Sequence, residues 1–205
     1  MKHHRIGLGA AALLFCITLS AAAGAVQIDY PDRVTQGEVY LVTLSGDDTV
    51  FSARGFFAGR SVYFNPTGVP GTLTGIMGVD LGAAPEVKTL ALTIKKNDGT
   101  LETVTKSITV VKGNFSVQRL ALDRKWVSYD EATLKRIQHE AEISTALYAT
   151  ESPRRLWTEP FVMPLIGGVT TSFGMIRYVN DQPPYQHDGI DISAVTGTPV
   201  SAAND

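Results

Sequence analysis

Apolar and polar residues alternate along most of the chain between Val26 and Gly113, and the period changes to a helical one only after that. In "VKTLALTIKKNDGTLETVTKSITVVKG", Leu90, Leu92 and Ile94 alternate with Ala91 and Thr93, and Ile108 and Val110 alternate again downstream. Successive side chains on a strand point to opposite faces, so this is the pattern of two half-buried strands. Asn97-Asp98-Gly99 between them supplies hairpin turn chemistry. "GEVYLVTL" and "RSVYFNP" are rich in β-branched and aromatic residues, and "NPTGVPG" and "GAAPE" punctuate the segment. About seven short strands over 26–113 predict a mainly β protein that opens with an immunoglobulin-like β-sandwich. The cysteine pair of antibody-type domains is absent, and a sandwich alone says little about function.

The helical period appears in "VSYDEATLKRIQHEAEISTALYAT". Ser128 followed by Glu131 has the spacing of a capping box. Leu134, Ile137, Ala141 and Tyr148 then share one face, while Glu131 and Lys135, and Arg136 and Glu140, are spaced to pair on the surface. The spacing predicts one helix over about 129–150, inside a connecting segment at 114–157. Such a helix is expected to dock on a neighbouring segment. The mixed charge of its polar face argues against a membrane-surface role. From 158 to 205 the chain is dense in Gly and Pro with short apolar runs, which predicts the opening part of a second β-rich domain. There is no internal repeat.

Composition sharpens this picture at the N-terminus. Lys2 and Arg5 precede an apolar run from Ile6 to Leu19, and Ala23-Gly24-Ala25 supplies small residues for a signal peptidase. Residues 1–25 therefore read as a signal peptide. The run is shorter than the roughly 20 residues a membrane span needs, which disfavours a retained anchor and leaves no stable span after cleavage. Cys16, the only cysteine, lies within that run behind Phe15, a poor match to lipoprotein processing. Cleavage takes the formal charge from −2 to −4 by removing Lys2 and Arg5, and leaves no disulfide. A mildly acidic exported protein of the periplasm or cell envelope follows. No basic run points to nucleic acid. Oligomeric state is not legible.

The stretch "YQHDGIDI" places His187 and Asp191 four residues apart. Zinc takes ligands at about 2.0–2.2 Å from imidazole nitrogen or carboxylate oxygen, so two ligands of one ion sit within about 4 Å of each other. On a straight strand these residues would lie about 13 Å apart. The chain must bend between them, and Gly189 is the residue that would permit it. By spacing alone the signal is weak, and the pair reads first as a loop histidine beside a solvated acid.

The surrounding motifs add to that reading. Thr170-x-x-Phe173-Gly174 with Arg177, the His-x-Gly-x-Asp core at His187–Asp191, and Gly197-Thr198-Pro199-Val200 with Ala202-Ala203 occur in that order. Over about the last forty-five residues the chain resembles the lysostaphin/LytM-type zinc metallopeptidases, which cut peptide cross-links of bacterial peptidoglycan. The resemblance implies a LytM-like peptidase domain starting at 158, zinc as cofactor, His187 and Asp191 as its first two protein ligands, and a peptidoglycan peptide as substrate. Asp188 reads as a solvated loop acid, and Arg177 as a surface residue or one lining the substrate groove.

The family completes its site with a His-x-His motif on a later strand and one more upstream histidine. Neither is present. The only other histidine after the signal segment, His139, falls on the polar side of the predicted helix. Val200-Ser-Ala-Ala leading into the turn-prone Asn204-Asp205 reads as a hairpin without its return strand. The expectation is a chain that ends within the catalytic domain, carries no catalytic residue of its own and is inactive alone. Two alternatives stand beside the endopeptidase: a non-catalytic LytM-like regulator of cell-wall hydrolases, and a structural or adhesive envelope protein whose sandwich is the working part.

Overall fold

The structure, a computed structural model, describes residues 24–123 and 128–204. Residues 1–23, with Lys2, Arg5 and Cys16, lie outside the described residues. Among those described, no helix is long and apolar enough to cross a membrane.

The protein is mainly β, as the alternation predicts. Eight strands build the N-terminal sandwich: β1 (Gln27–Asp29), β2 (Arg33–Thr35), β3 (Val39–Ser45), β4 (Val50–Phe57), β5 (Arg60–Pro66), β6 (Leu73–Gly78), β7 (Val87–Lys96) and β8 (Leu101–Val111). They run in the order β1-β3-β6-β5-β4-β7-β8-β2. The ribbon passes from one layer to the other along β5: Arg60–Tyr63 pair with β4, whereas Phe64–Pro66 pair with β6. The two edge strands differ in sense, β1 pairing antiparallel with β3 and β2 parallel with β8.

Alternation sets what is buried. Leu90, Leu92 and Ile94 of β7 and Ile108 and Val110 of β8 face inward, and they meet Val42 and Leu44 of β3, Phe57 of β4 and Met77 of β6 in one cluster. Burying each such side chain contributes about 1.5–3 kcal/mol. The β7–β8 hairpin closes as its sequence predicts. Gly99 takes a left-handed φ of 87°, its amide donates to the Lys96 carbonyl at 3.0 Å, and the Thr100 amide donates to Asp98 Oδ1 at 2.8 Å. One charge is buried beside this turn. Asp47 Oδ1 accepts from the Thr49 amide (2.9 Å) and hydroxyl (2.5 Å), and Lys96 Nζ stands 3.1 Å from Oδ2.

The segment after the sandwich, read from sequence as a connector with one helix, also carries a strand. β9 (Val117–Leu120) pairs parallel with β11 (Ile176–Val179), and β11 pairs antiparallel with β12 (Tyr185–Gln186). A second small sheet joins β10 (Val169–Thr171) to β13 (Asp191–Ile192). Between β9 and β10, α1 spans Glu131–Tyr148. Its N-cap is Asp130 rather than Ser128: the Asp130 carboxylate accepts from the Thr133 amide at 2.7 Å and stands one residue before the first helical one. The Lys135–Glu131 and Arg136–Glu140 pairs form at 2.7 and 3.6 Å. Among the described residues the expected docking is not seen. No residue of α1 is buried, and Leu134, Ile137 and Tyr148 stay exposed, because Ile143 and Leu147 divide the apolar surface between two faces of the helix.

Candidate metal centre

The site is assembled by three short pairings. The Gly174 amide donates to the His187 carbonyl at 2.7 Å and the His187 amide to the Met175 carbonyl at 2.9 Å, which fixes His187 beside the start of β11. Thr171 is in register with Asp191 across β10 and β13. Gly174 is required where it stands: its φ is 78°, and a Cβ there would run into the Phe115 ring. Phe115 thereby packs the segment joining sandwich and C-terminal sheets against this turn.

Between β12 and β13 the chain turns, and His187 Nε2 comes to 3.2 Å from Asp191 Oδ1. The bend does not use glycine's freedom as the sequence suggested. Gly189 is not in the left-handed region, and a Cβ added to it would meet nothing within 4 Å. The turn is instead held from both sides by strand pairing. Asp188 is exposed, as its reading as a solvated acid predicts, and His139 lies on the exposed helix.

Arg177 is the residue the sequence undervalued. Its side chain is only 17% exposed, and its Nη2 donates to Asp191 Oδ2 and to Thr171 Oγ1, each at 2.7 Å. Its Nε donates to Gln118 Oε1 at 3.1 Å, so β9 reaches into the centre. The signal available was the fixed spacing of Arg177 behind Thr170-x-x-Phe173-Gly174; Gln118 carries no sequence signal. Hydrogen bonds from Thr171 and Arg177, with the nearby charges of His187 and Arg177, hold the Asp191 carboxyl below the usual carboxylate range. The Asp191 carboxylate in turn raises Arg177.

The separation of the two side chains is that of an ordinary His–Asp contact and is also one that a zinc ion accepts. Two ligands at about 2.0–2.1 Å from a tetrahedral ion lie about 3.3 Å apart, close to the 3.2 Å between Nε2 and Oδ1. Arg177 takes the other carboxylate oxygen, which leaves Oδ1 as a single donor facing the imidazole. His187 Nδ1 is buried and has no hydrogen-bond partner among the described residues. Those residues hold no group of three His, Cys, Asp or Glu side chains placed for a metal. At the far end, the Ser201 amide donates to the Pro164 carbonyl (2.8 Å) and the Val162 amide to the Ala203 carbonyl (2.9 Å), so the stretch after Val200 is paired along one side.

No protein-family model matches the sequence, and no curated protein matches it. Similar solved structures include a superoxide reductase (neelaredoxin) from Ignicoccus hospitalis, at 18% identity and a TM-score of 0.32 over 44% of this chain and 82% of that one. CopC from Methylosinus trichosporium OB3b is 16% identical with a TM-score of 0.33 over 44% of this chain and 97% of its own. The GspB Siglec domain is 10% identical with a TM-score of 0.35 over 58% and 73%. At scores this low, the fold assignment rests on the strand order and core described above.

Proposed function

We propose that His187 and Asp191 are two of the three protein ligands of zinc in an exported endopeptidase acting on peptide cross-links of bacterial peptidoglycan. The third ligand and the histidines that orient water are not supplied by the described residues. The observation that carries this reading is the 3.2 Å approach of His187 Nε2 to Asp191 Oδ1, with Arg177 on the second oxygen, inside the motif order that resembles the LytM-type enzymes. Zinc there supplies a Lewis acid that polarises a peptide carbonyl and activates water. The chain's own residues present the ligands. The β12–β13 turn sets their separation, Arg177 fixes which carboxylate oxygen faces the imidazole, and Gln118 and Thr171 fix Arg177.

The test uses the product of the complete reading frame, purified with zinc and incubated with peptidoglycan sacculi. Release of new amino termini, lost in H187A and in D191A, is the expected result. Retained cleavage in both variants would remove the reading. A zinc-free product that cleaves nothing itself but stimulates a separate cell-wall hydrolase would replace it with the regulator.

A further inference from the structure

A second site lies away from the His–Asp pair, between the outer face of the sandwich and the segment that follows α1. The residues after the helix cross the outer face of β3, β5 and β6. The Arg155 amide donates to Asn65 Oδ1 at 2.9 Å, and the Tyr63 hydroxyl donates to Glu151 Oε2 at 2.6 Å. These two bonds hold the 151–157 stretch over the sheet and leave a groove of about 570 Å³ between them. That volume falls within the roughly 300–1,000 Å³ of ligand-binding clefts.

The two walls differ in chemistry. The sheet wall carries Leu41 and Ile76, cross-strand partners in register on β3 and β6, and they are 61% and 44% exposed. Alternation explains their position: Val42, Gly75 and Met77 point into the core, so Leu41 and Ile76 must point out. Apolar side chains in register on an outer sheet face are unusual where polar residues would solvate it. The opposite wall contributes Arg154, Arg155 and Trp157. Neither Arg154 nor Arg155 has a carboxylate partner among the described residues. Nearby, Arg60 pairs with Asp80 at 3.1 Å and Arg54 lies over the Tyr63 ring at 5.1 Å. Of these arginines, Arg154 and Arg155 line the groove, while Glu151 beside it is engaged by the Tyr63 hydroxyl, which leaves a local cationic excess on a chain whose net charge is −2.

We infer that this groove binds an acidic peptide in extended form. An extended peptide sends successive side chains to opposite sides, so alternate apolar residues can lie on Leu41 and Ile76 while the intervening carboxylates meet Arg154 and Arg155. Guanidinium forks favour carboxylates over neutral amides, which gives the groove its selectivity. This inference does not rest on the zinc reading, and the 205-residue chain suffices to test it.

The probe is a fluorescein-labelled, amidated Leu-Glu-Leu-Glu-Leu peptide, compared with its Leu-Gln-Leu-Gln-Leu counterpart by fluorescence anisotropy. Saturable binding is expected, at least tenfold weaker for the glutamine peptide and for R154A/R155A, and weaker still as salt is raised. A second variant, I76E, places a carboxylate on the apolar wall without touching the core and is expected to weaken binding by a similar factor. Both arginines are exposed, and thermal melting of the variants should match the parent chain. Equal affinity of the two peptides, equal affinity of parent and R154A/R155A, or no saturable binding would overturn the inference. Preference for a soluble polyuronate over the acidic peptide would overturn the peptide assignment.

Discussion

The sandwich and the C-terminal sheets are both built from strands, but they are held together by different means. Strands of up to eleven residues in the sandwich bury Leu44, Phe57, Met77, Leu92 and Ile94 almost completely. Strands of two to four residues carry the His–Asp pair, and the buried side chain among them is a polar one, Thr171. In place of an apolar core, that region has the guanidinium of Arg177 bonded to Gln118, Thr171 and Asp191. The lesson is that one region derives its order from removing apolar surface from water, and the other from satisfying a few polar groups in fixed geometry.

The largest effect should come from the apolar side of that comparison. Leu92→Ala removes buried methyl groups at the centre of the β7 face, and urea unfolding should show a loss of about 2–5 kcal/mol. A loss below about 1 kcal/mol would mean that the core is looser than its burial implies. Arg177→Met tests the polar side. It leaves Asp191, Thr171 and Gln118 without their shared donor, and amide exchange in β9–β13 should speed up by about tenfold or more while β7 and β8 keep their protection. Equal acceleration in both regions would show them to be a single cooperative unit. A smaller, pH-dependent effect belongs to the sandwich. Hydrogen bonds from Thr49, with Lys96 beside them, hold the Asp47 carboxyl below its usual range. A carboxyl with a depressed folded pKa contributes stability that is complete above the unfolded value of about 3.9 and is lost as pH falls through the folded one. Stability should therefore decline from about pH 4 downward, less steeply in D47N, as followed by circular dichroism across the acid range. Identical acid limbs would exclude Asp47 as a contributor.

The same contrast explains what could be read from sequence. Leu90, Leu92, Ile94, Ile108 and Val110 were legible because a two-residue period and an Asn-Asp-Gly turn are local signals. β9 was not legible, since four residues that pair in parallel with a strand more than fifty positions later leave no local trace. Nor was the parallel pairing of β2 with β8. The helix was visible but its environment was not: Leu134 and Ile137 suggested a docking face, and the structure leaves them in solvent. His187 and Asp191 were legible as chemistry from their motif. Arg177 reads from sequence as a surface or groove-lining residue because arginines are mostly exposed, and only its bonds to Gln118, Thr171 and Asp191 reveal that it holds the pair.

The most direct test of the metal-centre account is a zinc titration of residues 26–205, which keep His139 and His187 as their only histidines, followed by nuclear magnetic resonance of the imidazoles. With two protein ligands in place, the His187 ring signals should move first and saturate weakly, well above micromolar zinc. The His139 signals should stay where they are, and H187A should remove the response. Zinc that leaves His187 unmoved, or that binds stoichiometrically at micromolar concentration, would contradict the account.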